Sequence, residues 1–188
     1  MHLGLAAALL IASGLGATWA TGADVAMAVL GLPLGGALPV QPKLCPTIGV
    51  EPKQICWIVK PFVDKSGVRL GSAQVPGSAS RPAWAAHAMF DLTVAKNGTL
   101  QVIRVATVGT ADRQAIAQSI SARFGPPTSS TLRDPGPASA TWARGDVHIY
   151  MLCAEGCWVE FRSPEAQRER ELELAARQKV EARRPVAP

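Results

Sequence analysis

Apolar and polar residues alternate in two neighbouring runs, MFDLTVAK and TLQVIRVAT, that meet at Asn97-Gly98. A period of two marks strands that bury one face, and Asn-Gly is the pair best suited to a two-residue type I′ turn. The pattern predicts a hairpin over 89–107. The turn then sets the register: Lys96 faces Thr99, Val94 faces Gln101, Leu92 faces Ile103 and Phe90 faces Val105. Those pairs make one nearly continuous apolar face. The reverse face sets Asp91 opposite Arg104, an expected ion pair across the strands. Asn97-Gly98-Thr99 also spells a glycosylation sequon, but turn chemistry accounts for the same residues.

Alternation returns over 139–162, in SATWARGDVHIYMLCAEGCWVEFR. Gly145-Asp146 suits a type II′ turn, with glycine first. Ala154-Glu155-Gly156 suits a three-residue turn, with Gly156 in the left-handed position. Both turns independently place Trp142, Ile149, Met151, Val159 and Phe161 on one face together with Cys153 and Cys157. The expected element is a three-stranded meander with its two cysteines directly opposed, close enough for a disulfide. Arg144-Gly145-Asp146, which reads as an adhesion tripeptide, is absorbed as the first turn. The reverse face carries His148, Tyr150, Leu152, Trp158, Glu160 and Arg162.

Between these sheets the period lengthens. In TADRQAIAQSISARF, Ile116, Ile120 and Phe124 recur every four residues, Thr110 is the expected N-cap, and Gly125-Pro126-Pro127 stops the helix. A second helix follows the meander, with Ser163 as cap, Pro164 at the first helical position, Glu165 in the first turn and a Glu173–Arg177 pair. Its apolar stripe, Leu172, Ala176 and Val180, is thin. Upstream, ICWIVKPFV (55–63) reads as a strand, and 64–84 as a loop with at most a short strand near Val68–Leu70. Five prolines between 33 and 52 forbid a long helix there. The implied class is α+β: an antiparallel sheet of hairpins packed by one amphipathic helix, with a charged C-terminal helix.

The N-terminus changes the picture. Residues 1–20 carry no charged side chain, the apolar run is short, and Thr18-Trp19-Ala20 offers small residues where a signal peptidase reads them. Ala26-Met27-Ala28 is a second such site. The expected organisation is a signal peptide over 1–20, a Pro/Gly-rich extended opening segment over 21–54, one α+β domain over 55–162, and a charged helix and tail over 163–188. Four cysteines in an exported chain of this kind read as two disulfides. With Cys153–Cys157 set by the register, Cys45–Cys56 follows by elimination. The expected location is periplasmic or secreted, with no membrane span after cleavage.

Charge and motifs then exclude function classes. The net charge of +5 is scattered rather than gathered on one element, which argues against nucleic acid. No C-x₂-C knuckle, haem attachment signal, HExxH pair, GxSxG elbow or Gly-rich phosphate loop occurs, and His87 and His148 have no spaced partner. No catalytic residue, metal or cofactor is expected. The candidate site is the outward cluster of His148, Tyr150, Trp158 and Glu160, because exposed Trp and Tyr anchor interfaces. The bland reading is a sheet face half covered by the C-terminal helix.

A helix closing in Phe124-Gly125-Pro126-Pro127, then a strand with Trp142 and another with Val159-Glu160-Phe161, resembles small bacterial envelope modules. These are the outer-membrane assembly lipoproteins of the BamE/SmpA kind and the β-lactamase-inhibitor-type repeat. The resemblance spans 111–162 and implies a helix-on-sheet module. The chain departs from it in lacking a lipid-anchor cysteine and in the hairpin that precedes the helix. The expected function is contact with another envelope or secreted protein. An inhibitor or small-ligand binder using the aromatic face is the alternative, and a hydrolase without a recognisable motif the next.

Overall fold

A computed structural model describes residues 27–38, 41–78, 81–86, 88–107 and 112–182. The expected leader over 1–20, Thr110 and His87 lie outside the described residues. The elements are β1 (Met27–Val29), β2 (Leu32–Leu34), β3 (Lys43–Leu44), β4 (Cys56–Trp57), β5 (Phe62–Val63), β6 (Arg69–Gln74), β7 (Met89–Val94), β8 (Leu100–Ala106), α1 (Arg113–Phe124), β9 (Ser129–Ser130), β10 (Ala138–Arg144), β11 (Val147–Cys153), β12 (Cys157–Arg162) and α2 (Pro164–Glu181). All twelve strands join one sheet, whose main path runs β3-β4-β6-β7-β8-β12-β11-β10-β9. The class is α+β, with one large mixed sheet and two helices.

The sheet is not purely antiparallel as expected: β2 runs parallel to β8 and β3 parallel to β4. Both exceptions come from the opening segment. β12 pairs with β8 only as far as Arg162 opposite Val102, and beyond that point β2 takes the vacant edge, with Leu34 opposite Leu100. Gly35 N–H donates to the Leu100 carbonyl and Leu100 N–H to the Gly36 carbonyl. Val29, Leu30, Leu32 and Leu34 are buried in the common core with Leu92, Ile103, Trp142 and Phe161. Residues read as an extended approach thus supply part of the core.

At the hairpin turn the structure corrects the expected geometry. Gly98 alone takes a left-handed φ of 89°, Ala95 N–H donates to the Thr99 carbonyl, and Gly98 N–H donates back to the Ala95 carbonyl. This is a three-residue loop, Lys96-Asn97-Gly98, with Asn97 Oδ1 accepting from Thr99 N–H. The extra loop residue shifts the pairing by one, so Val94 faces Leu100 rather than Gln101. A β-bulge between Thr93 and Val94 shifts it back. Asp91 therefore still opposes Arg104, Leu92 opposes Ile103 and Phe90 opposes Val105. A two-residue turn with φ positive at both positions does occur elsewhere, at Leu30-Gly31 (53° and 84°), joining β1 to β2.

The meander pairs Arg144 with Val147, Trp142 with Ile149, Met151 with Val159 and Cys153 with Cys157. Its five core residues are buried, and Cys153–Cys157 and Cys45–Cys56 are the two disulfides. Gly145 has φ 50°, but Gly156 is not left-handed, contrary to expectation; the disulfide closes that loop and holds its ends instead. Asp112, not Thr110, caps α1, accepting from the Gln114 and Ala115 N–H groups. Ile116, Ala117 and Ile120 are buried, while Phe124 is only half-buried and tilts against Phe161. Two indoles fix the helix: Trp84 Nε1 donates to Ser119 Oγ and Trp142 Nε1 to Ser121 Oγ, both at 3.2 Å.

Residues 55–63 are broken into β4 and β5, with Pro61 between them unable to donate to a ladder. β6 is longer than expected. Its Gly71-Ser72-Ala73 centre carries too little apolar pattern to read as a strand, yet Gly71 suits close packing: a Cβ there would stand 3.2 Å from Pro61 and 3.3 Å from Trp57.

The corrected turn makes a prediction. Gly98→Ala should destabilise by about 1–2 kcal/mol through backbone strain alone, because nothing lies within 4 Å of the added Cβ. Asn97→Asp, which keeps the acceptor for Thr99, should be nearly neutral. Urea unfolding of the two variants tests this; wild-type stability of Gly98→Ala would overturn the left-handed assignment of Gly98.

Candidate functional site

Successive residues of a strand face opposite sides, so the strands that send Ile103, Phe161 and Ile149 into the core turn Arg104, Glu160 and Tyr150 outward. The ladders set these in one row, Asp91–Arg104–Glu160–Tyr150, across β7, β8, β12 and β11. One step along β12 stands Arg162 opposite His148, and one step the other way Trp158 opposite Leu152.

Glu160 is the fulcrum of this face. The sequence places it in the open, but it is only 1% exposed. Oε2 accepts from Arg104 Nε at 2.9 Å and Nη2 at 2.5 Å, and Oε1 lies in ion contact with Arg162 Nη2. Burial pushes the Arg162 guanidinium below its ordinary value, and the Glu160 carboxylate opposes that shift. Arg104 also lies over the Trp158 ring at 5.2 Å, and Tyr150 meets that ring edge-on at 5.6 Å. One guanidinium is thereby held between a buried carboxylate and an indole face.

The expected Asp91–Arg104 ion pair does not form, although the two residues are directly opposed. Asp91 instead accepts from Ser72 Oγ at 2.5 Å. A carboxylate shut away from water needs a cation more than one at the half-exposed Asp91 position does, so Arg104 turns to Glu160. His148, Tyr150, Trp158 and Glu160 do share a face. Arg162, read from the sequence onto the same face, and Arg104 complete it; Arg104 escaped the sequence reading of this face, because nothing local puts β8 beside β12.

The C-terminal helix meets this face at its start and covers it in part: Arg104 and Tyr150 are exposed, while His148, Trp158 and Arg162 are half-buried. Ser163 caps α2, accepting from Ala166 N–H, and Ala166 is buried, but every residue from Arg168 to Ala182 is exposed. Glu173 pairs with Arg177 at 2.5 Å on that solvated surface. Two sizeable grooves lie in the opposite lobe. One, of about 640 Å³, is lined by Lys43, Leu44, Val50 and Lys53 around the Cys45–Cys56 bond. The other, of about 560 Å³, is lined by Glu51, Arg81, Met89 and Phe90. Tyr150 and Trp158 line neither. Among the described residues no cluster of three or more His, Cys, Asp or Glu gathers.

No protein-family model, curated protein or solved structure matches the chain. The resemblance of 111–162 to envelope modules therefore rests on its short motif.

Glu160→Gln is expected to cost about 1–3 kcal/mol, since it leaves Arg162 partly buried without its anion. Arg104 is half exposed, so its coupling to Glu160 in a double-mutant cycle should be about 1 kcal/mol after solvent screening. Asp91→Asn with Arg104→Met should be additive within about 0.5 kcal/mol. Denaturant titration of the three single and two double variants reads both couplings, and a larger value for Asp91 would reverse the assignment.

Proposed function

We propose that this chain is an exported, non-enzymatic envelope protein that works by binding another envelope or secreted protein through its Trp158–Tyr150–Arg104 face. The observation that carries this reading is the ordered presentation of an indole, a phenol and a guanidinium on one partly open sheet face. These are the three side chains most enriched among the dominant contacts of protein interfaces. Their order is built in beforehand: Glu160 fixes Arg104, and Arg104 and Tyr150 fix Trp158, so little side-chain freedom is lost on docking. The partly open face favours a macromolecule over a small ligand, which would call for a concave site.

Two disulfides with no free cysteine among the described residues point to an oxidising, extracytoplasmic compartment. Export by a leader cleaved after Ala20 is part of this reading. β1 begins at Met27 and Val29 is buried, so a cut after Ala20 preserves the β1–β2 hairpin, whereas one after Ala28 removes two of its paired residues.

Intact-mass measurement of exported protein should show loss of 1–20, and non-reducing peptide mapping should recover Cys45–Cys56 and Cys153–Cys157. Crosslinking in envelope extracts should capture a partner on the wild-type chain and lose it on Tyr150→Ala/Trp158→Ala. An affinity loss of about thirtyfold or more is expected for two such anchors. Undiminished capture by the double variant would overturn the assignment of the face.

A further inference from the structure

The opposite end of the sheet has a different chemistry. Four of the chain's six lysines, Lys43, Lys53, Lys60 and Lys65, fall between residues 43 and 65. So do six exposed apolar side chains: Leu44, Ile48, Val50, Val59, Phe62 and Val63. The densest part is the hairpin 59–70, where β5 pairs with the first half of β6, setting Phe62 opposite Leu70 and Val63 opposite Arg69. β5 is an edge: among the described residues it pairs with β6 alone.

Two acidic groups fall in the same stretch, and both are held by hydrogen bonds. Asp64 Oδ1 accepts from the Ser66 hydroxyl and from the Ser66 and Val68 N–H groups, and the Ser66 hydroxyl in particular holds its carboxyl below the ordinary range. Glu51 Oε1 accepts from Gly77 N–H at 2.6 Å. The four lysines make no ion pair or hydrogen bond among the described residues. Five cations, these lysines and Arg69, stand against the two carboxylates between residues 43 and 70, so this stretch carries a net charge of +3.

From this we infer that the 59–70 hairpin docks on an anionic lipid surface. Phe62 and Val63 are adjacent in one strand and so face opposite sides, yet they are 67% and 51% exposed. A protein surface laid against the hairpin covers one of them. The headgroup and upper acyl region of a bilayer, entered by the tip, covers both. The cations agree with this choice. Protein interfaces favour Arg and are depleted in Lys, whereas lysines beside an inserted tip run their stems along it and keep their ammonium groups among lipid phosphates. Edge-to-edge pairing of two copies through β5 is opposed by Pro61 and by the flanking Lys60 and Lys65, the usual guards of an open strand. Such docking is peripheral, and among the described residues no helix is long and apolar enough to cross a membrane.

The test is vesicle flotation of the exported chain, with phosphatidylcholine vesicles against the same vesicles enriched in phosphatidylglycerol. Binding should require the anionic lipid and weaken as salt shortens the range of the attraction. Lys60→Gln/Lys65→Gln should lower the partition coefficient about 25-fold, at about fivefold per charge. Phe62→Ser should lower it about tenfold. All three positions are exposed, and circular dichroism with intact disulfides confirms that the variants fold. Tyr150→Ala/Trp158→Ala should float like the wild type, so loss of the protein-binding face leaves this result unchanged. Binding indifferent to phosphatidylglycerol, or unaltered by the Lys60/Lys65 pair, overturns the proposal. So does a dimer in sedimentation equilibrium that the hairpin variants dissociate, which would make the tip a contact between copies.

Discussion

The centre of this sheet depends on two one-residue irregularities that cancel. β8 is bonded to β7 on one side and to β12 and β2 on the other, so its register decides which side chains of four strands face the core. The three-residue loop at 96–98 would by itself displace the β7–β8 ladder by one position, so that Phe90 and Leu92 could no longer share a face with Ile103 and Val105. The bulge beside Gln101 removes that displacement, and all four are buried. Neither device would be tolerable alone.

The bulge does more than restore register. A residue outside the ladder has backbone groups to spare, and the Gln101 carbonyl accepts from Ser163 N–H, the residue that caps α2. One position earlier, Leu100 bonds to Gly35 and Gly36 of the opening segment, and Leu38 N–H reaches the Gly98 carbonyl. The early and late parts of the chain are thus both tied to the few residues 98–101. Gln101 itself is nearly buried, an unusual place for an amide and one that follows from its position in the bulge.

Those same residues show what a sequence discloses. The apolar faces of the two hairpins were legible because alternation runs through six or seven residues, long enough to outlast an error in the turn: the loop chemistry at Asn97 was misread, and Phe90, Leu92 and Asp91 still found their partners. The disulfide pairing was legible for the same reason. β1, β2 and β6 were not. Three-residue strands carry no period, Pro33 and Gly71 argue locally against a strand, and Leu30 adopts a left-handed φ that a β-branched or bulky residue rarely takes, though it is buried. Of the candidate site, the shared face of His148, Tyr150 and Trp158 could be read from parity. The burial of Glu160 could not, since it depends on a neighbour 56 residues away.

The two disulfides suit the two ends of the sheet in different ways. Cys153 and Cys157 close a loop too short for its chain entropy to matter greatly, about 2 kcal/mol on the loop-closure argument. They sit among core side chains, where Thr107 already braces Cys157 through its hydroxyl and amide. Cys45 and Cys56 join β3 to β4, a parallel pair of two residues each, which could not hold by hydrogen bonding alone. Here the covalent link substitutes for ladder length. It lets the outermost strand of the sheet stay attached while its side chains remain uncommitted to the core. That is why this end can expose apolar and cationic groups without unravelling, while the buried Glu160 ion pairs stabilise an aromatic face at the other. One sheet thereby carries two surfaces of different chemistry.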